Sequence, residues 1–379
     1  MDIPRALPRP TPGQRALVEA LARGDHHLGP GVVRVAASSY TDPDRFVAEQ
    51  AALFDRLPLV LGPSALLASR DQAVAHDDYR RPLLLTRDHH GRAHVLANVC
   101  RHRGTRLVGA GDPGPARRIV CPYHAWNYRP DGELAHVPRA DCFPGLRRAD
   151  HRLAAYPVAE RGGLIWFSPG GEPDFGSLAP LDDDFDAFGL ADLYLYRRHT
   201  HAVAANWKLV IDAFLESYHV QRLHAGTIAA FFADGVTVAD RVGHHQRAAV
   251  GRAASLADID HDDWAALRGA VTFTYHLFPN TVLIVSPDYI NLLVVMPQSV
   301  GASRVEDYML IHERPASNAA EQHWQKSWDL LDGGTFGTED FGAAARAHEG
   351  LASGSLDQVI LGRLEHGIAD FHRLVEAAL

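Results

Sequence analysis

Apolar positions first recur at helical spacing between Thr11 and Arg23, where Ala16, Leu17, Ala20 and Leu21 line one face and Gly24 supplies a stop. The texture then changes. From Leu57 to Pro169, short apolar runs alternate with turn residues. Residues 83–86 and 94–99 flank Asp88-His89-His90-Gly91, a polar segment that suits a hairpin and leaves both histidines at the surface. Residues 118–120 and 164–167 read as further strands, and Asp131-Gly132 as a tight turn. This pattern predicts a small all-β domain.

Ser168-Pro-Gly-Gly-Glu-Pro173 has the composition of a linker, and beyond it the periodicity shifts. Asp182, Asp183 and Asp184 form an acidic run that reads as a solvated loop or helix cap. Asn206 to His224 reads as one helix, and residues 271–274, 281–285, 290–296 and 305–312 as antiparallel strands. Residues 321–331 and 338–379 read as largely helical. The class is therefore α+β, with an N-terminal helical segment (1–45), a small all-β domain (46–172), and a domain of antiparallel sheet flanked by helices (173–379).

Composition narrows the function classes. The net charge is −9, so there is no broad cationic field for a nucleic-acid backbone, and Arg101, Arg103 and Arg106 form only a local cluster. No apolar run is long enough for a membrane span, and residues 1–30 lack a secretory signal pattern, so a cytoplasmic protein is expected. Cys100, Cys121 and Cys142 are too few for a disulfide framework and fit a reducing compartment. Twenty-three histidines is a high number, and imidazole is the commonest metal ligand. His244, His245 and the pair at 89–90 read as surface residues, and His276 as a satisfied core histidine.

Spacing singles out two constellations. Cys100-Arg-His102 and Cys121-Pro-Tyr-His124 each follow a strand and offer one thiolate and one imidazole. Zinc sites usually pair like with like, as Cys-x2–4-Cys or His-x3–5-His. Mixed pairs suit a [2Fe–2S] cluster of the Rieske type, with two Cys on one iron and two His on the other. Cys142 is left over and reads as a small buried hydrophobe. The run Cys-x-His-Arg-Gly with Cys-Pro-Tyr-His-x-Trp resembles the Rieske domain of the ring-hydroxylating oxygenases, over about residues 57–170.

The second constellation lies in 206–224. Asp212, Glu216 and His219 step by four and three, which puts them on one helix face. His219 and His224 are five positions apart, about 140° around an ideal helix. They reach one metal only where the helix ends or bulges, as at a π-type turn. Two histidines and a carboxylate form the facial triad of Fe(II) oxygenases. The segment resembles the Glu/Asp-x-x-His-x4-His motif of Rieske oxygenase catalytic domains, preceded by Asn-Trp-Lys. The resemblance implies a helix-grip, START-like catalytic domain. It implies that the third iron ligand is Asp340, with Glu339 as the fallback, and that Glu216 bridges His124 of one subunit to His219 of its neighbour. Ala213 stands where Asn is common, and Asp212 where Glu is.

The resemblance further implies a homotrimer, O2 as co-substrate, and electrons from NAD(P)H through a reductase or ferredoxin. Glu216 is similar to the acid of the subgroup that oxidises quaternary ammonium compounds, so the substrate is expected to be a quaternary amine or amino-acid-like molecule that is hydroxylated or oxidatively dealkylated. An aromatic-ring dioxygenase alpha subunit, a bare electron carrier and a zinc-stabilised binding module are the other readings. Phe214, Phe231, Phe232, Tyr275, His276 and Phe278 are pocket candidates, and most of them read equally well as core.

Overall fold

The computed structural model describes residues 9–170, 174–252, 259–260 and 262–379. The linker residues 171–173 lie outside them. Two compact units emerge, one of residues 1–54 with 176–379, the other of residues 55–175. The first boundary thus falls at Asp55, later than residue 46, and the N-terminal segment belongs to the larger unit. Its helix Pro43–Glu49 explains why. Glu49 is fully buried and takes two hydrogen bonds from Lys208 Nζ, both 2.6 Å, and one from Trp207 Nε1 at 2.9 Å. A buried carboxylate is tolerated only with such partners, so this stretch is fixed to the Asn-Trp-Lys segment. Burial pulls the Lys208 ammonium down to about 8, against the pull of Glu49.

The smaller unit is all-β. Leu83–Arg87 pairs antiparallel with Ala93–Ala97 across the expected hairpin, within a five-stranded sheet. Two three-stranded sheets complete it, one built on Leu59–Pro63 and the other on Asn127–Tyr128. Its core gathers Leu84, Leu96, Ile119 and Tyr128 around both Cys100 and Cys121. His89 and His90 are exposed in the turn.

The larger unit is organised by one antiparallel sheet of seven strands. In spatial order these are Tyr194–Val203, Ala302–Ile311, Tyr289–Ser299, Thr281–Val285, Val271–Leu277, His245–Arg252 and Phe232–Val242. Three of these strands escaped the sequence pattern: in Tyr194–Val203 and Phe232–Val242 most polar residues are half-buried rather than alternating cleanly, and in His245–Arg252 the polar His245, Gln246 and Arg247 are themselves buried. Helices lie across the sheet. The C-terminal stretch is not wholly helical: Gln358–Leu361 is a strand paired with Val33–Ala36. The helix Pro12–Ala22 starts as expected, with Thr11 and Gln14 forming a reciprocal cap.

Three expectations change. Cys142 is exposed, since the short turn that carries it lies outside the core. His245 is buried and accepts the Phe278 N–H at 3.1 Å, and burial takes it down to about 4. Asp184 opens the helix Asp182–Phe188 but is itself buried, between Tyr275 OH at 2.8 Å and Arg247 Nη1 at 2.7 Å.

Candidate metal centres

The two Cys/His loops share one backbone plan. Cys100 N–H donates to Thr105 O and Gly104 N–H to Cys100 O, at 2.8 and 3.0 Å. Cys121 N–H donates to Trp126 O and Ala125 N–H to Cys121 O, again at 2.8 and 3.0 Å. The fifth residue of each loop has positive φ, +75° at Gly104 and +56° at Ala125. Alanine at such a φ costs about 1–2 kcal/mol, a strain that the second loop carries and the first avoids with glycine. His102 and His124 come together with ring centroids 4.6 Å apart. Trp126 stacks on His102 at 4.9 Å, and Phe143 packs edge-on against both. Trp126 is buried, so it shields the loops, whereas Arg101 and Arg103 are exposed.

The donor set fits an iron–sulfur cluster. Nδ1 of His102 and Nδ1 of His124 are both buried without a hydrogen-bond partner, which is costly unless something else takes the lone pair. Burial and the neighbouring His124 hold the His102 imidazole below its ordinary pKa, in the neutral form a metal needs. Burial pushes the Cys100 thiol up; Tyr128 OH, 3.3 Å from its sulfur, and the His102 N–H oppose this, and Cys121 adds to it. A cationic iron centre would reverse that balance.

The second site comes from a broken helix. Asn206 caps Trp207–Asp212 through the Lys208 N–H, and the helix stops there, with Phe214 and Leu215 N–H turning back to carbonyls three residues earlier. Asp212 therefore does not share a face with Glu216 and His219. It accepts from Tyr40 OH at 2.8 Å and lies 3.3 Å from His372 Nε2. A second short helix, Val220–Leu223, has His219 at its start and His224 just past its end, at φ −95° and ψ 21°. Departure from helical geometry at His224 closes the angular gap, and the rings lie 5.0 Å apart. Of the two breaks expected between the histidines, an end or a bulge, the helix ends; a π-type distortion occurs elsewhere, in Asp329–Asp340, which carries Asp340. Thr335 and Thr338 hydroxyls donate to carbonyls five residues back and support its widened turns. Gly337 lets it approach the sheet, since a Cβ there would lie 2.7 Å from Asp332 O and 3.3 Å from the His201 ring.

Each imidazole is pinned from behind. His219 Nδ1–H donates to Glu216 Oε1 at 2.5 Å and His224 Nδ1–H to Glu339 Oε2 at 2.7 Å. A carboxylate can only accept, so in the neutral ring the other nitrogen carries the lone pair. Those Nε2 atoms lie 3.6 and 3.2 Å from Asp340 Oδ1. Asp340 is buried, and this oxygen has no hydrogen bond. Burial raises Asp340 above the ordinary carboxylate range although both histidines pull it down. Burial lowers His224, and Asp340 and Glu339 more than reverse this. Three carboxylates around two imidazoles call for a divalent cation. Glu339, the fallback ligand, is thus the residue that orients His224, and Thr227 Oγ1 donates to it at 2.7 Å.

The same residues close one end of a cavity of about 280 Å³. Alternate positions of the sheet form its other wall, among them Val250 and Arg252, Thr272 and Thr274, and Asn291. Phe214, Phe231 and Phe232 line it. Tyr275 and Phe278 are core, and His276 is buried with Nε2 on Pro279 O at 3.1 Å.

Comparison with known proteins agrees with this geometry. The family described as "Ring hydroxylating alpha subunit (catalytic domain)" matches residues 190–379, and "Rieske [2Fe-2S] domain" matches residues 59–157. The chain belongs to the ring-hydroxylating oxygenase alpha-subunit family, and is a Rieske-type non-haem iron oxygenase that acts on a small organic molecule. Its cofactors are a Rieske [2Fe–2S] cluster and a mononuclear iron. It is 26% identical over 361 residues to the carnitine monooxygenase oxygenase subunit of Escherichia coli K12, covering 90% of this chain and 92% of that one. It is 30% identical over 206 residues to the glycine betaine monooxygenase oxygenase subunit of Chromohalobacter salexigens, covering 53% of this chain and 44% of the relative. Its fold matches that of the quaternary ammonium Rieske monooxygenase CntA at a TM-score of 0.79 and 20% identity, over 95% of this chain and 98% of that one. Among the described residues no helix is long and apolar enough to cross a membrane.

Proposed function

We propose that Cys100, His102, Cys121 and His124 hold the cluster, and that His219, His224 and Asp340 hold the Fe(II) at which a small quaternary-ammonium or amino-acid-like compound is oxidised. The observation that carries the reading is the pair of imidazoles fixed through Nδ1 by Glu216 and Glu339, with both Nε2 atoms aimed at one unpartnered buried carboxylate oxygen. Bound iron supplies the O2 activation: substrate C–H, O2, two electrons and two protons become C–OH and water. The chain's own residues do the rest. Glu216 and Glu339 hold the tautomers and raise imidazole basicity, while the walls of the cavity keep water from the reacting carbon.

The substrate class rests on the relatives, whose names are carnitine and glycine betaine monooxygenase oxygenase subunits. The structure of a quaternary ammonium Rieske monooxygenase is described as giving insight into inter-subunit electron transfer. By the same logic this chain works as a homotrimer fed by a reductase or ferredoxin that draws on NAD(P)H. Glu216 then couples His124 of one subunit to His219 of the next, since its carboxylate has lone pairs beyond those engaged by His219 and the Tyr218 N–H.

The test is elemental. Protein purified without chelators should carry about three irons and two acid-labile sulfides per chain. Two irons and two sulfides that Fe(II) cannot supplement would remove the mononuclear site, and zinc without sulfide would remove both centres.

A further inference from the structure

Burying a guanidinium without a counter-ion is unfavourable, and this chain shows both the usual solution and an exception on a single strand, His245–Arg252. Arg247 is buried, with Asp184 at 2.7 Å and Asp240 at 2.6 Å. Arg252 lies on the opposite face and lines the cavity that contains the His219/His224/Asp340 trio. It is half-buried, and among the described residues it forms no ion pair. Among the described residues its one hydrogen bond runs from Nη1 to Thr272 Oγ1 at 3.1 Å. Its guanidinium carbon sits 5.6 Å from the Phe231 ring centre and 5.3 Å from that of Phe232. A guanidinium has five N–H donors in a planar fork, so most remain to be used.

The acids of the cavity wall do not serve it. Glu216 is engaged by His219, and Asp340 faces the two Nε2 atoms. Asp288 pairs with His323 at 3.6 Å, and half of its side chain is exposed. Burial lowers the Arg252 pKa, and Tyr289 and Asp288 recover part of that loss through space. Arg252 is the only Lys or Arg on the cavity wall among the described residues. The two phenyl faces that would otherwise attract an ammonium group already carry its guanidinium.

We propose that Arg252, held by Thr272 and lying over the Phe231 and Phe232 rings, is the anion subsite of the oxidation cavity, and that the substrate bears a carboxylate which docks there while another part of the molecule meets the trio. This rests on the oxygenase reading of the cavity and narrows it. A simple cation without an acid group is excluded as a substrate, whereas zwitterions and organic acids are admitted.

The experiment compares matched probes by calorimetry on the anaerobic holoenzyme at fixed ionic strength: glycine betaine against choline, and benzoate against benzamide. At least one carboxylate should bind while its uncharged or cationic counterpart does not. Arg252→Gln should weaken that binding at least about thirtyfold, and Arg252→Lys should weaken it less, since it keeps the charge but loses the fork. Thr272→Val, which removes only the tether, should fall between wild type and Arg252→Gln and serves should the Gln variant misfold. Equal binding of both members of every pair, no binding by either carboxylate, or undiminished carboxylate binding in Arg252→Gln would each overturn the proposal. Oxygen uptake with an electron donor is recorded in parallel. Arg252-dependent binding without uptake would count against the oxygenase reading and not against the subsite.

Discussion

His219, His224 and Asp340 on one side, and His199, His201 and Asp332 on the other, bring the same three kinds of side chain together, each set with its ligand atoms within 4.8 Å. Both carboxylates come from the π-helical segment Asp329–Asp340. The difference lies behind the rings. In the first set each imidazole is pinned through Nδ1 by a further carboxylate, and the spacing to Asp340 Oδ1 is 3.2 and 3.6 Å, room for a shared ion. In the second, Asp332 stands directly between the rings, with His201 Nε2 at 2.6 Å and His199 Nδ1 at 3.0 Å from the same oxygen, which are hydrogen-bond distances. The carboxyl groups respond in opposite directions. Burial raises Asp332, but His201 and His199 more than reverse it, so it ends below the ordinary range; Asp340 ends above it. Asp332 has its hydrogen-bond partners within the protein and clamps the π-helical segment to the strand Tyr194–Val203, while Asp340 is the acid proposed to meet a cation. Two histidines and an acid within reach occur twice here; what sets the proposed iron trio apart is the pair of carboxylates that fix its outer ring nitrogens.

The largest effect that could break this comparison comes from exchanging the two acids. Asp340→Asn should drop iron from about three to about two per chain, leave the cluster spectrum intact, and cut turnover by well over about 100-fold, the upper end for a residue that only orients a ligand. Asp332→Asn should keep all three irons, and its loss of iron would put a metal at the wrong trio. Next come the orienting carboxylates. Glu339→Gln and Glu216→Gln should each weaken Fe(II) binding about 10–100-fold in anaerobic titrations, with no such change in Asp332→Asn.

The smallest effect is on stability. Asp332→Asn should cost about 2 kcal/mol in urea unfolding at neutral pH, the range of hydrogen bonds to a charged group. Because the folded pKa of Asp332 lies below its unfolded value of about 3.9, this contribution is full above that value and is lost as pH falls through the folded pKa. The gap between wild type and variant should therefore hold constant above about pH 5 and narrow below about pH 4. A gap that widened in acid would contradict the clamp.

Much of the proposed site was legible because metal ligation is a local demand. Cys100-x-His102, Cys121-x-x-His124 and His219-x4-His224 each lie in one short loop or turn, so their spacing carries information. The same spacing showed that the histidines needed a break in the helix, and Phe214 and Leu215 turn back there. Placement of the distortion was not legible, since the π turns of 329–340 depend on Thr335, Thr338 and the fit of Gly337 against His201. Glu49 and Tyr40 gave no local signal either. Their partners, Lys208 and Asp212, lie far along the chain, and the boundary at residue 46 separated Glu49 from its own unit.

The sequence by itself determined the α+β class and the two kinds of iron chemistry, and it singled out the loops proposed to bear the ligands, because residue type and short spacing are enough to state what a metal requires. Only the tertiary structure decided which acid faces the Nε2 atoms of His219 and His224 and which hydrogen-bonds to the back of His224, that Asp212 points away from them, and that Arg252 enters the cavity without a described counter-ion. Those are outcomes of burial and of contacts between segments far apart in the chain, where the electrostatic cost of an unpaired group depends on everything folded around it.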